Sequence, residues 1–125
     1  MFGQPMSQFE EEFKLRTRKF ALRVINLAES LPMTPAANVI RYQLLRSGTS
    51  VGANYRAACR AKSRKDFIAK LGTVEEEADE SIYWMELLIE SNLMPAIRLK
   101  NLIDEANEIV SVVVASIKTA RDNLE

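Results

Sequence analysis

The sequence predicts an all-α protein, an antiparallel up-down-up-down four-helix bundle, on three observations. Apolar residues recur with a period near 3.6 through four separate segments. The breaks between these segments are short, so sequential helices must fold back on one another. No stretch alternates polar and apolar residues as a half-buried strand does, and no Asn-Gly turn or internal repeat competes.

The first helix is predicted over residues 7–31. Ser7 and Glu10 stand at capping-box spacing, and Phe13, Phe20, Val24, Leu27 and Leu31 follow at helical period. Pro32 and Pro35 then interrupt the pattern. The second helix covers residues 36–59, where Ile40, Leu44, Val51, Tyr55 and Ala58 resume the stripe. Ser47, Gly48, Gly52 and Ala53 leave little side chain in the way of a neighbour, which predicts a close helix-helix approach. Asn54 sits at the edge of this stripe, where an amide needs a structural hydrogen bond.

A polar connector, Arg60 to Lys65, leads to Ser63 and Asp66, again at capping spacing. They open the third helix, residues 64–92, lined by Phe67, Leu71, Val74, Ala78, Ile82, Met85 and Ile89. Pro95 suits the first turn of a fourth helix, residues 95–123, with its stripe at Leu99, Leu102, Ile103, Ala106, Ile109, Val110, Val113 and Ile117 and beyond them Leu124. Three of these helices would extend on the order of 35 to 40 Å at 1.5 Å per residue. One domain across residues 1–125 is expected, since a chain of this size buries roughly two-thirds of its unfolded surface around a single core.

Composition narrows the function classes. There is no histidine, which removes the imidazole base, the Ser-His and Cys-His pairs and the Glu-x-x-His motif of carboxylate-bridged di-iron bundles. Cys59 is the single cysteine, and it lacks a histidine partner, so a packed thiol in a reducing, cytoplasmic setting is expected. No uncharged stretch approaches the ~20 residues that cross a bilayer, so no membrane partner is expected. The acidic run Glu75, Glu76, Glu77, Asp79 and Glu80 lacks calcium-loop spacing and reads as a solvated face. Glu75 and Glu86, at the border of the third stripe, are expected to pair with arginines. The chain is therefore expected to be no enzyme, with no catalytic residue, cofactor or metal.

Two features are left over after the core is assigned. On the third helix Tyr83 and Leu87 fall opposite the apolar stripe with Trp84 between, and on the first Leu15 and Leu22 lie away from Phe13 and Phe20. A repeated second stripe with aromatics is a signature of an interface between copies. The charges, balanced at 17 of each sign, are sorted by segment. Arg41, Arg46, Arg56, Arg60, Lys62, Arg64, Lys65 and Lys70 face a single Asp66, whereas seven acids from Glu75 to Glu90 have no basic residue among them. Either the two segments meet, within or between subunits, or the basic one (Arg41, Arg46, Arg56, Arg60, Lys62, Arg64 and Lys65) is a phosphate-binding strip for nucleic acid. A net charge of zero favours the first for most of the pattern.

The stretch from Arg46 to Asn54 with Ser50 four residues before Asn54, then Ser63-Arg64-Lys65-Asp66-Phe67, then Val74 to Ser81 with Trp84 and Leu87, resembles the bacterial four-helix-bundle family of 23S ribosomal RNA intervening sequences. Ser50, Asn54, Ser63, Arg64, Asp66 and Phe67 carry its motif. The resemblance implies an up-down bundle assembled into a ring, a homopentamer, and an association with RNA or nucleoprotein. It brings no catalytic residues.

Overall fold

A computed structural model describes residues 7–124, and residues 1–6 and 125 lie outside the described part. Four helices follow in order, α1 (Gln8–Glu29), α2 (Pro35–Ala58), α3 (Arg64–Glu90) and α4 (Ala96–Asp122), with no strand among the described residues. All are antiparallel to the preceding one. Thr17 and Val24 of α1 meet Gly52 and Gly48 of α2 in reversed order, and α4 returns beside α1 to close the bundle.

The first three helices each start where a side chain can satisfy a free amide. Ser7 Oγ accepts from the Glu10 amide at 3.2 Å while Glu10 accepts back from the Ser7 amide at 2.9 Å, the full capping box. Thr34 caps α2 by accepting from the Ala37 amide at 3.2 Å, and Pro35 takes the first helical position, one residue earlier than periodicity alone suggested. Ser63 caps α3 through the Asp66 amide at 3.1 Å. Pro95 stands at the N-cap of α4 rather than inside its first turn, and no side chain caps that helix.

The α3–α4 turn is closed by Asn92, whose φ of 61° lies in the left-handed region. The Leu93 amide reaches the Leu88 carbonyl at 2.9 Å and the Asn92 amide reaches Ile89 at 3.0 Å, the Schellman pattern. Asparagine tolerates this conformation better than other non-glycine residues.

The stripes close into one core. Phe20, Leu44, Leu71, Met85, Leu99 and Ile109 are wholly enclosed, and Phe13 meets Tyr55 edge to face at 4.7 Å. Periodicity missed several buried positions, among them Thr17, Ala28, Ala37, Ser81, Leu88 and Ala120. Thr17 hides its hydroxyl by donating to the Lys14 carbonyl at 3.1 Å. Leu124 lies beyond α4 and is exposed, so it does not extend that stripe.

The close approach at the small residues is borne out. A Cβ on Gly48 would stand 2.7 Å from Val24 Cγ1, and one on Gly52 would stand 3.2 Å from Thr17 Oγ1. Ser47, also small, receives a 3.0 Å hydrogen bond from Ser81 and joins α2 to α3 inside the core. None of the described helices is long and apolar enough to cross a membrane.

Candidate functional site

The seven residues of the basic strip have different fates. Arg41 turns back onto α1: its Nε donates to the Ala28 carbonyl at 2.9 Å and its Nη2 to Leu31 at 2.7 Å and Pro32 at 3.2 Å. It also contacts Asn38 through Nη1. Arg41 thus ties carbonyls at the end of α1 and in the α1–α2 connection to α2, a structural duty that fits its place one helical repeat before Gly48 on the flank facing α1. Arg46 crosses to α3, where it pairs with Glu77 at 3.3 Å and with Glu80. Basic and acidic segments therefore do meet within the subunit, through this one arginine.

Arg56, Arg60, Lys62 and Lys65 are exposed and carry no side-chain hydrogen bond or ion pair among the described residues. They gather where α2 ends and α3 begins, joined by the half-buried Arg64. The connector is ordered by Asp66, which accepts from the Lys62 amide at 3.3 Å and pairs with Lys70 at 2.6 Å. That Lys70 contact, and then the Lys62 amide, hold the Asp66 carboxyl below its usual range.

The motif residues serve the scaffold. Ser50 donates to the Arg46 carbonyl at 2.6 Å and Asn54 to the Ser50 carbonyl at 2.8 Å, each bonding one turn back, which is the structural role expected for Asn54. Phe67 is buried in the core.

Of the five outer apolar positions, Leu15, Leu22 and Tyr83 are exposed, at 52, 55 and 53 % of their surface. Trp84 and Leu87 are half-buried against the core. Both lie on the flank of α3 from which Glu77 and Glu80 reach Arg46, so the bulk of α2 shelters them. Trp84 additionally donates its Nε1 to Glu80 at 3.0 Å and stacks edge-on with Tyr83 at 5.0 Å. Glu75 and Glu86 do not pair with arginines as expected; neither takes part in an ion pair among the described residues.

Several groups lay beyond sequence inference. Lys14 and Arg18 of α1 stand across a groove from Arg56 of α2. The groove measures about 460 Å³, with Leu15, Ala21, Gly52 and Ala53 among its lining and Glu11 on its wall. Glu10, only 5 % exposed, leaves Oε2 without a hydrogen-bond partner among the described residues. On the far side of α1, Arg16 holds Glu105 through two bonds of 2.7 and 2.8 Å and Glu108 at 3.6 Å. Those bonds depress the Glu105 carboxyl and raise the Arg16 guanidinium. Burial pushes the Cys59 thiol up, which lowers its thiolate content, and burial likewise pushes up the neighbouring Tyr55 hydroxyl. Among the described residues no three acids or thiols gather as metal ligands.

No curated protein matches the chain. Among solved structures it is similar to a protein of unknown function from the S23 ribosomal protein family of Bacteroides thetaiotaomicron VPI-5482. The two are 39% identical with a TM-score of 0.79, over 84% of this chain and 97% of that one. The model for the 23S rRNA-intervening sequence protein matches residues 11–115, the helices that carry the motif and the groove, and so the chain belongs to the family of 23S rRNA-intervening sequence proteins.

Proposed function

We propose that this protein is a non-catalytic scaffold or adaptor that assembles with copies of itself, as the pentameric ring the family resemblance implies, in a cytoplasmic setting. The observation that carries this reading is the outer surface of the subunit: Leu15, Leu22 and Tyr83 stay exposed while the sorted charges stay largely unpaired. An exposed aromatic ring flanked by exposed carboxylates, with a second apolar row on α1, supports a surface that another copy covers. Light scattering or sedimentation velocity at micromolar concentration is expected to give one discrete oligomer. A clean monomer would remove the proposal.

A second reading has its own support. Arg56, Arg60, Lys62 and Lys65 form a basic corner, unpaired among the described residues, beside the N-terminus of α3, whose free amides also attract anions. On this reading the assembled protein holds RNA by its phosphates. Binding to structured RNA should then fall steeply with salt and vanish when Arg60 and Lys65 are both changed to glutamate. No binding at low salt would end it.

A further inference from the structure

We infer that the groove between α1 and α2 of one subunit receives the outer face of α3 of the next copy, so that subunits join head to tail. The inference rests on the self-assembly proposed above and goes further by naming both halves of the contact.

The groove has a floor of small residues and a basic rim. Ala21, Gly52 and Ala53 keep it open, Leu15 gives it an apolar edge, and Lys14, Arg18 and Arg56 stand around it without ion pairs among the described residues. Glu11 is the one acid on its wall.

The outer face of α3 is its complement in shape and charge. Tyr83 projects from it, and Glu76, Asp79, Glu86 and Glu90 lie at seven before, four before, three after and seven after, within one side of the helix. All four carboxylates are exposed and, among the described residues, unpaired, whereas Glu77 and Glu80 on the flank are already held by Arg46. A protruding ring with acid along its sides fits a small-residue groove with bases along its rim.

Charge also settles the symmetry. Groove against groove would set cations against cations, and α3 against α3 would set carboxylates against carboxylates, so neither two-fold dimer is favoured. Groove against α3 brings the opposite signs together, and a head-to-tail contact of that kind propagates to a ring or a filament. The exposed ion pairs add little attraction individually, so their part is to choose the partner surface while Tyr83 and Leu15 bury apolar area.

The test uses two charge-reversed full-length proteins, Arg18→Glu with Arg56→Glu in the groove, and Asp79→Lys with Glu86→Lys on α3. All four positions are exposed, so circular dichroism should show wild-type helix content and thermal unfolding should remain cooperative. Each protein alone should associate on the order of 100-fold more weakly than wild type in sedimentation velocity. Mixed in equal amounts they should reassemble, because the acidic groove of one now meets the basic α3 of the other. A folded reversed protein that assembles like wild type, or a mixture that stays monomeric, overturns the docking and leaves self-assembly standing. A wild-type monomer removes both. If the groove reversal spares assembly and instead abolishes salt-sensitive binding of single-stranded RNA, the groove is a phosphate site and the docking is wrong.

Discussion

On one side α1 presses against α2 so closely that a single added methyl would collide, and on the other it barely touches α4 and is tied there by an ion pair. The first seam is held by shape. Gly48 and Gly52 admit Val24 and Thr17 to their backbones, and dispersion between closely fitted atoms accumulates along the contact. The second seam is held by charge, with Arg16 reaching Glu105 and Glu108 across partly open solvent. The two kinds of seam fail differently. A fitted contact has no room to adjust, whereas an exposed ion pair loses a little to salt or acid and leaves the core intact.

The largest effect is expected at Gly48. An alanine there gains about 1 kcal/mol in helix propensity but forces its Cβ to 2.7 Å from Val24, a β-branched side chain stiff at χ1. Overpacking of this kind costs about 1 to 3 kcal/mol, and the stiffness of Val24 places the cost at the upper end. Gly48→Ala should therefore lower stability by about 2 kcal/mol, a fall in Tm of roughly 5 to 10 °C. The penalty should shrink in a Val24→Ala background, because the clash and the cavity cancel. Gly52→Ala, facing Thr17 Oγ1 at 3.2 Å, should cost less. An unchanged Tm for Gly48→Ala would break the contrast between the seams.

At the charged seam a smaller loss is expected. Arg16→Ala or Glu105→Gln should cost about 1 kcal/mol, the upper range for an exposed pair, because the contact is bidentate and Glu105 is partly enclosed. The pH dependence has a definite sign. The Glu105 carboxyl is depressed in the folded chain, so its stabilisation is complete above the unfolded value near ~4.3 and is lost as the pH falls through the folded one. The stability difference between wild type and Glu105→Gln should be present at neutral pH and vanish in acid. A difference that persists in acid would mean that packing, not charge, closes this seam.

The two seams also differ in how far the sequence foretold them. Gly48 and Gly52 are visible as small residues on one helix, so a close approach was legible although its partner was not. The capping pairs Ser7 with Glu10 and Ser63 with Asp66 placed helix starts within a residue because capping is a local interaction. The Arg16–Glu105 pair joins positions 89 residues apart, and no local spacing announces it. Arg41 was misjudged with the other basic residues: it stands seven residues before Gly48, on the flank that α2 turns to α1, and its long side chain curls to carbonyls ten and thirteen residues earlier. Lys14 and Arg18 became candidates only when α2 lay beside them. Leu87 looked external because a wheel shows one helix and not the flank its neighbour covers.

The smallest expected effect comes from the third described glycine, and it separates the two reasons a helix keeps one. Gly72 is inside α3, and a Cβ added there meets nothing within 4 Å. With no clash to oppose it, Gly72→Ala should stabilise the subunit by roughly 0.5 kcal/mol, by limiting the unfolded backbone and improving helix propensity. The Tm should rise by about 1 to 3 °C. A fall would mean that Gly72 is as tightly packed as Gly48. Gly72 lies on the same side of α3 as Glu76 and Tyr83, so the substitution also probes the outer face. A raised Tm for the dilute subunit together with weakened assembly at micromolar concentration would place another backbone against that face, and the fitted kind of seam would then recur between copies.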